Sequence, residues 1–390
     1  MSRAALLHGL QAYNAEHDLA ENIWGEAAAM ASRQTADHLG INIESAATEG
    51  RTVLSRSTPL DLGYSVHCNA PERLHFPLKS EGPPVVPSPV VEVAQLEEAE
   101  VGQWMGLHLV CQSGQVVPDA STAYWPLLGA PFSQPRPERV VAELEELFVV
   151  VDDNDPENFC HYLCDQLPKV SLAADCRARI PLLVSKPVQP FQLELLVRLK
   201  ELHGVDLHWL EDGETIRARR LFYVRRAPHQ HPFFRGSSWA MDFVRNLVGL
   251  PADLEAPEGS LLYIRRLSRR RVVDEEALIL ELQKACPRLR VVESMGRYSV
   301  RDQALLVASH RHLMGPHGAA FTHLALRNQA PLRATELMAE GNGTLSFAII
   351  SQRLGIQHQV LLGEAVTTAN GPNYPDLRLD PKMAVAFALA

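Results

Sequence analysis

The chain has 390 residues, a formal net charge of −9 and 21% charged residues. This length is enough for one large domain or two ordinary domains, each able to bury its own core. The mild acidic excess argues against a general nucleic-acid-binding protein, because such proteins usually carry a basic excess. No stretch approaches the roughly 18 apolar residues that a membrane-spanning helix needs, so we predict no spanning helix.

The cysteines and the first residues bear on the cellular compartment. Six cysteines lie without short paired spacings, at Cys68, Cys111, Cys160, Cys164, Cys176 and Cys286. This pattern favours reduced thiols in a cytoplasmic protein over a secreted disulfide scaffold. Residues 1–26 lack a continuous apolar run and a cleavage site, so we expect no signal peptide. The predicted location is cytoplasmic, and peripheral contact with the cytoplasmic face of a membrane stays open.

The first 135 residues differ in character from the remainder. Residues 3–38 contain no Pro and only two Gly and are rich in Ala, Glu and Leu, which predicts one or two helices. From about residue 50, prolines cluster in "EGPPVVPSPVVEV", and short Val-rich runs predict strands with irregular connections. We therefore expect residues 1–135 to form a helical and β-rich extension packed on the domain that follows.

From residue 139 onward, predicted strands and helices alternate. "RVVAELEELFVVVDD" predicts a strand ending in an acidic loop, "NFCHYLCDQLPKV" a helix, and "FQLELLVRLKELHG" a helix closed by Gly204. The alternation continues through "VDLHWL", "SSWAMDFVRNLVG", "SLLYIRR", "DEEALILELQKAC" and "LRVVES". Strands separated by helices of this length predict parallel sheets. "LPADLEAPEGS" at residues 250–260 breaks the run, so we predict two α/β domains with a cleft between them, at residues 136–255 and 256–390.

The first candidate site is "LMGPHGAAFTHL", residues 313–324. "HRHLM" predicts a strand before the turn, and "FTHLALRN" predicts the first turns of a helix after it. Small side chains between them let a phosphate reach the amides around Gly318 to Phe321, since unpaired N–H groups at a helix N-terminus bind anions. His317 adds a hydrogen-bond donor. A tight strand–helix turn without a ligand is the alternative.

The second candidate site is an arginine run in "YIRRLSRRRVVDEEAL", with Arg265, Arg266, Arg269, Arg270 and Arg271. Guanidinium groups match phosphate oxygens through paired donors. A charge run is usually a solvated face. This one, however, follows a predicted strand, where α/β domains bind ligands. Acidic residues then open the next helix and can orient the arginines.

The third candidate site is the pair His161 and Asp165, which lie at i and i+4 on one helical face. The carboxylate can fix the tautomer of the imidazole, so the pair is a candidate general base, and a surface ion pair is the alternative. Zinc at Cys160, His161 and Cys164 is rejected, because consecutive ligands point to different helical faces.

Taken in chain order, from the His161–Asp165 pair through the arginine run to residues 313–324, the three segments resemble glycosyltransferase family 61, and the resemblance covers about residues 145–345. The upstream block matches at Asn158, Phe159, His161, Tyr162, Asp165, Leu167 and Pro168, with Lys169 where the family has Arg. The arginine block matches at Arg266, Arg270, Arg271 and Glu275, with Asp274 in place of Asn. Further matches are Gln303, Gly315, His317, Gly318, Ala319, Thr322 and Glu336, while Ala320 replaces Gly and His323 replaces Asn.

The resemblance implies an inverting, metal-independent glycosyltransferase of GT-B architecture, with two Rossmann-like domains facing across a cleft. It implies that residues 136–255 form the acceptor side and residues 256–390 the nucleotide-sugar side, and it leaves open a return of the last helix to the N-terminal domain. No cofactor is expected beyond the nucleotide-sugar donor, for which a UDP-sugar is the expectation. The implied acceptor is a glycan or glycoconjugate in polysaccharide biosynthesis.

The resemblance also assigns roles to residues. The implied donor-binding set is Arg266, Arg270, Arg271, Glu275, Gln303, His317, Gly318, Ala319, Ala320, Thr322 and Glu336, with Asn158 on the acceptor side. Asp165 is favoured as the base with His161 positioning it, and the reverse stays open. If transfer required a metal ion, the acidic residues of "VVVDDND" at 149–155 would be the candidate ligands. Two alternatives remain: a catalytically silent nucleotide- or glycan-binding subunit, and a phosphorylase-like α/β enzyme that accepts free phosphate.

Overall fold

The computed structural model describes residues 51–56, 62–63, 67–70, 85–86, 91–104, 107–117, 120, 139–151, 157–176, 179–225, 238–251, 254–327, 333–341, 346–367 and 375–390. The helices predicted for residues 3–38 and the acidic residues 152–156 lie outside these ranges. The chain folds into two compact units. Unit 1 comprises Met1–Thr58 and Pro89–Phe233, and unit 2 comprises Pro59–Ser88 and Phe234–Ala390.

The strands are β1 (Arg51–Arg56), β2 (Leu62–Gly63), β3 (His67–Cys68), β4 (Val85–Val86), β5 (Val91–Trp104), β6 (Leu107–Gln112), β7 (Gln115–Val116), β8 (Arg139–Val149), β9 (Leu182–Leu183), β10 (Leu207–His208), β11 (Glu214–Arg225), β12 (Leu261–Ile264), β13 (Val272–Val273), β14 (Leu289–Val292), β15 (His312–Pro316), β16 (Arg333–Ala339), β17 (Gln357–Val366) and β18 (Asp376–Arg378). The α-helices are α1 (Phe159–His161), α2 (Lys169–Cys176), α3 (Pro190–His203), α4 (Ser238–Val248), α5 (Glu275–Ala285), α6 (Val300–Ala308), α7 (Ser346–Arg353) and α8 (Pro381–Leu389). Within the described ranges, every helix falls short of the length and apolar character needed to cross a bilayer.

Unit 1 is built on a mixed sheet with the strand order β10-β9-β8-β11-β5-β6-β7, and β1 pairs with β5. Strands β10, β9, β8 and β11 run parallel, as predicted. Strand β5 is antiparallel to β11, β6 and β1, so the expectation of purely parallel sheets is wrong for this unit. The long strand β5 therefore adds an antiparallel half to the parallel strands.

Alternation along β8 directs one face of the strand into an apolar core, whereas the opposite face is charged at the start of the strand and buried at Phe148. The side chains of Leu147 and Val149 enter the apolar core, whereas Glu143 and Glu145 point outward and lie opposite arginines of β11. Cross-strand pairs of opposite charge on a solvated face contribute little individually, roughly 0.2–1 kcal/mol. Burial of the apolar face therefore stabilises this sheet more than its outer ion pairs do.

The segment "NFCHYLCDQLPKV" is helical, as predicted, but it is not one continuous α-helix. Helix α1 passes into a π-helical turn at Tyr162–Gln166, and α2 begins at Lys169. The side chain of Asn158 caps α1 by accepting a hydrogen bond of 2.9 Å from the amide of Cys160. Short π-helical turns are rare and occur frequently at functional sites.

Local signals explain the bounds of the regular helices. Helix α3 starts with Pro190 at its first position, where no N–H is needed, and ends at Gly204, which adopts φ 60°. Helix α6 starts after Ser299, whose hydroxyl accepts a hydrogen bond of 3.1 Å from the amide of Asp302. The predicted closure of α3 by Gly204 is confirmed.

Unit 2 is built on a largely parallel sheet with the strand order β14-β12-β15-β16-β17-β18-β13. The first five strands of this order run parallel, and β18 is antiparallel to β17. Counted along the chain from β12, these five strands have the spatial order 2-1-3-4-5 that is common in doubly wound α/β domains. Helix α8 packs against α5 and β17 within this unit.

The strand order in unit 2 defines where a ligand is expected. The chain moves from β12 to β14 on one side and then to β15 on the other, so the topological switch lies between β12 and β15. In open α/β sheets, ligands bind outside the carboxyl ends of the strands that flank this switch. Arg265 and Arg266 follow β12, and His317 follows β15.

Candidate functional site

The two anion-binding segments predicted from the sequence meet at this switch in unit 2. The Arg266 guanidinium donates a hydrogen bond of 2.6 Å from Nη1 to the carbonyl oxygen of His317. The two residues are 51 positions apart in the chain, and the pairing of β12 with β15 brings them together. The arginine run and the small-residue turn thus form one site.

Two positions of the turn exclude a larger side chain for different reasons. A Cβ atom on Gly315 would lie 2.5 Å from the carbonyl oxygen of Ile264, so the neighbouring strand excludes a side chain there. A Cβ atom on Gly318 would lie 1.7 Å from Nη1 of Arg266. Gly315 therefore serves strand packing, which corrects the ligand-based explanation for that position. Gly318 makes room for the guanidinium group.

The segment after the turn is helical, as predicted, but it is a 3₁₀ helix, Ala319–Leu326. The amide of Phe321 already donates to the carbonyl oxygen of Gly318 at 3.0 Å, so it does not point outward as predicted. Ala319 and Ala320 are partly exposed. Thr322 is fully buried, and among the described residues its hydroxyl has no hydrogen-bond partner. The amides nearest to the exposed end of this helix are those of the two alanines.

His317 begins a buried chain of hydrogen bonds. Its Nδ1 lies 2.5 Å from Oε1 of Glu336 in β16, and Oε2 of Glu336 lies 3.2 Å from Nε2 of His358 in β17. Nδ1 of His358 lies 2.8 Å from the hydroxyl of Ser351 in α7. Glu336 and Ser351 are fully buried, and His317 and His358 retain only a trace of exposure.

The two histidines keep Glu336 ionised. Burial alone would raise the pKa of this carboxyl group, but the charges and hydrogen bonds of His317 and His358 outweigh burial and lower the pKa to about 2. The carboxylate is therefore an acceptor on both oxygens near neutral pH. With Nδ1 of His317 bonded to Glu336, Nε2 is the ring nitrogen left for a ligand.

The lowered pKa of Glu336 predicts an acid-sensitive contribution to stability. A carboxyl group with a lower pKa in the folded state stabilises the fold above its ordinary pKa of 4.5, and the contribution is lost as the pH falls toward 2. We expect Glu336→Gln to be less stable than wild type at pH 7, with the difference shrinking below about pH 5. Urea unfolding across this range measures it.

An exposed carboxylate supplies the control for this experiment. Glu293 lies 3.4 Å from Arg297 and its side chain is 56% exposed, so Glu293→Gln should change stability little at any pH. A gap between wild type and Glu336→Gln that stays constant from pH 7 to pH 4 would contradict an ionised, histidine-paired Glu336.

The arginines line a groove of about 920 Å³, which includes Arg266 but none of the four residues of this hydrogen-bonded chain. Its lining includes Arg265, Arg266, Leu267, Arg271, Glu275, Asp376 and Arg378. Arg271 is bound to Asp376 through its backbone amide at 2.8 Å and through Nε and Nη2 at 3.0 and 2.8 Å. Arg265 lies 2.8 Å from Glu275, which also accepts from Tyr263 at 2.9 Å. Carboxylates therefore hold the arginines in place.

Other residues predicted to bind the donor form hydrogen bonds within the protein. Gln303 is buried in α6 and donates to the carbonyl oxygen of Tyr298 at 2.9 Å. Glu275 is buried and orients Arg265. Arg270 adopts φ 57° next to Arg271, so the backbone is left-handed in this part of the arginine run.

Sequence reasoning missed Asp376, Arg378, His358 and Ser351. Asp376 is 105 positions from its partner Arg271, and His358 is 22 positions from Glu336. No short motif links such distant partners. The signal that could have found Arg378 is its place at the end of β18, which pairs with β13 directly after the arginine run.

The His161–Asp165 pair lies in unit 1. Nδ1 of His161 is 2.8 Å from Oδ2 of Asp165, so the predicted contact is confirmed. The side chain of Asp165 is 1% exposed and that of His161 is 19% exposed. The two rings of Phe159 and Tyr162 pack edge-on against Phe191 and fix this turn. Asp165 can therefore orient His161, while His161 reaches solvent.

No group of three His, Cys, Asp or Glu side chains in the described ranges converges as a metal site. The acidic residues Asp152, Asp153 and Asp155, which the sequence offers as the alternative metal ligands, lie outside those ranges.

Comparison with known families places these residues in context. Residues 159–335 match the family Glycosyltransferase 61, which confirms over this segment the resemblance inferred from the sequence. The match begins two residues before His161 and ends one residue before Glu336. No curated protein sequence matches the chain.

Proposed function

We propose, on the premise that residues 159–335 form a glycosyltransferase family 61 domain, that this protein is an inverting, metal-independent glycosyltransferase. The family match suggests glycosyltransferase activity, with a sugar donor and a glycan acceptor. The observation that carries the proposal is the meeting of Arg266, His317 and Gly318 at the topological switch of unit 2. The donor is a nucleotide sugar, and the acceptor is a hydroxyl group of a glycan or glycoconjugate.

The donor part of the proposal rests on the charge at the carboxyl ends of β12 and β15. A departing nucleoside diphosphate carries negative charge that must be stabilised as the glycosidic bond breaks. Arg266 supplies a fixed guanidinium group at this position, and His317 supplies Nε2. The groove next to Arg266 is lined by four arginines and four carboxylates, so its arginines contribute directed hydrogen-bond donors rather than net charge. Groups held in place by protein contacts stabilise developing charge without reorganisation, and the ion pair of Arg271 with Asp376 holds one of them.

The acceptor part rests on His161 and Asp165. In a single displacement, the acceptor oxygen forms a bond to the anomeric carbon while the bond from that carbon to the diphosphate oxygen breaks. The acceptor hydroxyl gives its proton to a base of the protein. Asp165 is almost fully buried and binds Nδ1 of His161, so the exposures favour His161 as the base and Asp165 as the residue that orients it. This reverses the assignment preferred from the sequence.

A screen of donors tests the proposed function. We expect one of UDP-, GDP-, CMP- or dTDP-sugars to raise the melting temperature of the protein in the presence of EDTA, since a ligand that binds only the folded state stabilises it. UDP-sugars are the expected class. The stabilising donor is then incubated with candidate glycans. The released nucleotide, a nucleoside diphosphate or CMP from a CMP-sugar, and the anomeric configuration of the product are measured.

The same assay separates metal-independent transfer from its alternative. Transfer that persists in EDTA agrees with a diphosphate site built from arginines and a histidine. Activity that EDTA removes and Mg²⁺ or Mn²⁺ restores would overturn metal independence and bring Asp152, Asp153 and Asp155 forward as ligands. Nucleotide binding without transfer to any acceptor would favour the second candidate, a catalytically silent subunit, for which the replacements Ala320 and His323 in the signature are the supporting observation.

A further inference from the structure

We propose that His358 and Ser351 are positioning residues, which act through Glu336 to hold His317 with Nε2 directed at the anionic ligand. This inference rests on the donor role proposed for His317. Neither residue belongs to the segment that matches the family, which ends at residue 335. Both come from elements beyond it, Ser351 from α7 and His358 from β17.

The directions of the hydrogen bonds follow from the ionised state of Glu336. A carboxylate only accepts, so the ring nitrogens that face its two oxygens must both carry hydrogen. Nε2 of His358 therefore donates to Oε2 at 3.2 Å, and Nδ1 of His317 donates to Oε1 at 2.5 Å. Nδ1, the other ring nitrogen of His358, lies 2.8 Å from the hydroxyl of Ser351. A hydroxyl can donate or accept, so Ser351 pairs this nitrogen and fixes the ring of His358.

Burial makes each member of this chain depend on the next. Glu336 is fully buried, and a buried carboxylate is tolerated only when its oxygens are paired. Without His358, Oε2 would lose its partner, and the carboxyl group would take up a proton or rotate toward another donor. Either change removes the acceptor that fixes Nδ1–H of His317. His317 would then lose the partner of Nδ1–H and, with it, the ring orientation that lets Nε2–H donate to the ligand.

The strands give this chain a rigid frame. Glu336 and His358 lie on β16 and β17, which are paired over seven registered positions, and His317 follows β15 directly. The ring of Phe347 in α7 lies 5.4 Å from the ring of His317 and limits its rotation. Because backbone hydrogen bonds join all three strands, a change at His358 reaches His317 through Glu336 and needs no movement of the sheet.

The first arm of the test measures His317 in the protein without ligand. Histidine-selective ¹⁵N labelling and NMR report which ring nitrogen carries hydrogen. We expect wild type to show His317 with hydrogen on Nδ1 in a strong hydrogen bond, and His358→Phe to lose this signature. His358→Gln keeps an amide donor for Glu336 and should restore it. Ser351→Ala is the milder variant and is used if His358→Phe does not fold. It should weaken the His317 signature.

The second arm measures binding of inorganic diphosphate and of UDP by calorimetry. We expect His358→Phe to weaken binding about tenfold or more, and His358→Gln to recover most of the loss, because a hydrogen bond to a charged group is removed and then restored. The control is His312→Phe, which removes another buried histidine of the same sheet whose partner is Thr335 at 2.8 Å. It should cost stability and leave the affinity within about twofold.

The arms separate failure of this inference from failure of the proposed function. An unchanged His317 signature in folded His358→Phe would overturn the inference, as would equal losses of affinity in His358→Phe and His312→Phe. If wild type binds neither inorganic diphosphate nor UDP, the donor role fails, and the NMR arm alone still decides whether His358 positions His317.

Discussion

Gly318→Ala is expected to weaken binding of UDP or inorganic diphosphate about tenfold or more while the protein remains folded. The added Cβ would lie 1.7 Å from Nη1 of Arg266, and the flexible arginine side chain must move away. Arg266 would then lose its hydrogen bond to the carbonyl oxygen of His317 and its fixed position. A hydrogen bond involving a charged group is worth about 1.5–3 kcal/mol, which is about tenfold or more in affinity. Calorimetry measures the change.

Two further variants show whether Gly318→Ala acts through Arg266. Gly296→Ala is the matched control in the same unit, because a Cβ there meets only the hydroxyl of Ser294 at 3.8 Å. Arg266→Ala should weaken binding to a similar degree, and the double variant Gly318→Ala, Arg266→Ala should lose little more, since both changes remove the same interaction. Fully additive losses, or wild-type affinity in both single variants, would contradict a diphosphate site at this guanidinium group.

The fold was predictable where local signals and strand order agree. Proline and glycine mark the two ends of α3, and the alternation of strands and helices after residue 260 predicts the parallel sheet of unit 2. The antiparallel half of unit 1 was not predicted, because β5 pairs with β11, more than 100 positions later in the chain. The 3₁₀ geometry of residues 319–326 and the π-helical turn were missed as well. A helical pattern of apolar residues does not distinguish these forms from an α-helix.

The residues of the candidate site that directly follow a strand were predictable from the sequence. Arg266 and His317 were found because each directly follows a predicted strand, and adjacent parallel strands bring their carboxyl ends together. Most residues that hold the site in place were not predicted from the sequence. His358 reaches His317 only through Glu336, and Asp376 binds Arg271 of the same arginine run from 105 positions away. Ser351 lies seven positions from His358, but no sequence motif joins the two. Pairing across a sheet therefore determines the supporting residues, and it becomes visible only in the fold.

His161→Ala and Asp165→Asn are expected to lower sugar transfer about 10²-fold or more, with nucleotide affinity unchanged. His161 accepts the proton of the acceptor hydroxyl in the proposed mechanism, and loss of a positioned base typically costs 10²–10⁴-fold, roughly. Asn at position 165 keeps the shape of Asp but can present an amide N–H to Nδ1 of His161, which stabilises the wrong tautomer. Nucleotide affinity should survive, because the proposed diphosphate site lies in unit 2.

A second histidine–aspartate pair of unit 1 provides the control. Nε2 of His208 lies 3.1 Å from Oδ2 of Asp206, whose side chain is 68% exposed, so Asp206→Asn should leave transfer unchanged. Added imidazole should restore part of the activity of His161→Ala, because it can take the place of the missing base, and it should not restore Asp165→Asn. Near-normal transfer in His161→Ala with loss in Asp165→Asn would return the base to Asp165. Near-normal transfer in both variants would place the base outside this pair, since neither nitrogen nor carboxylate of the dyad would then be needed to remove the proton.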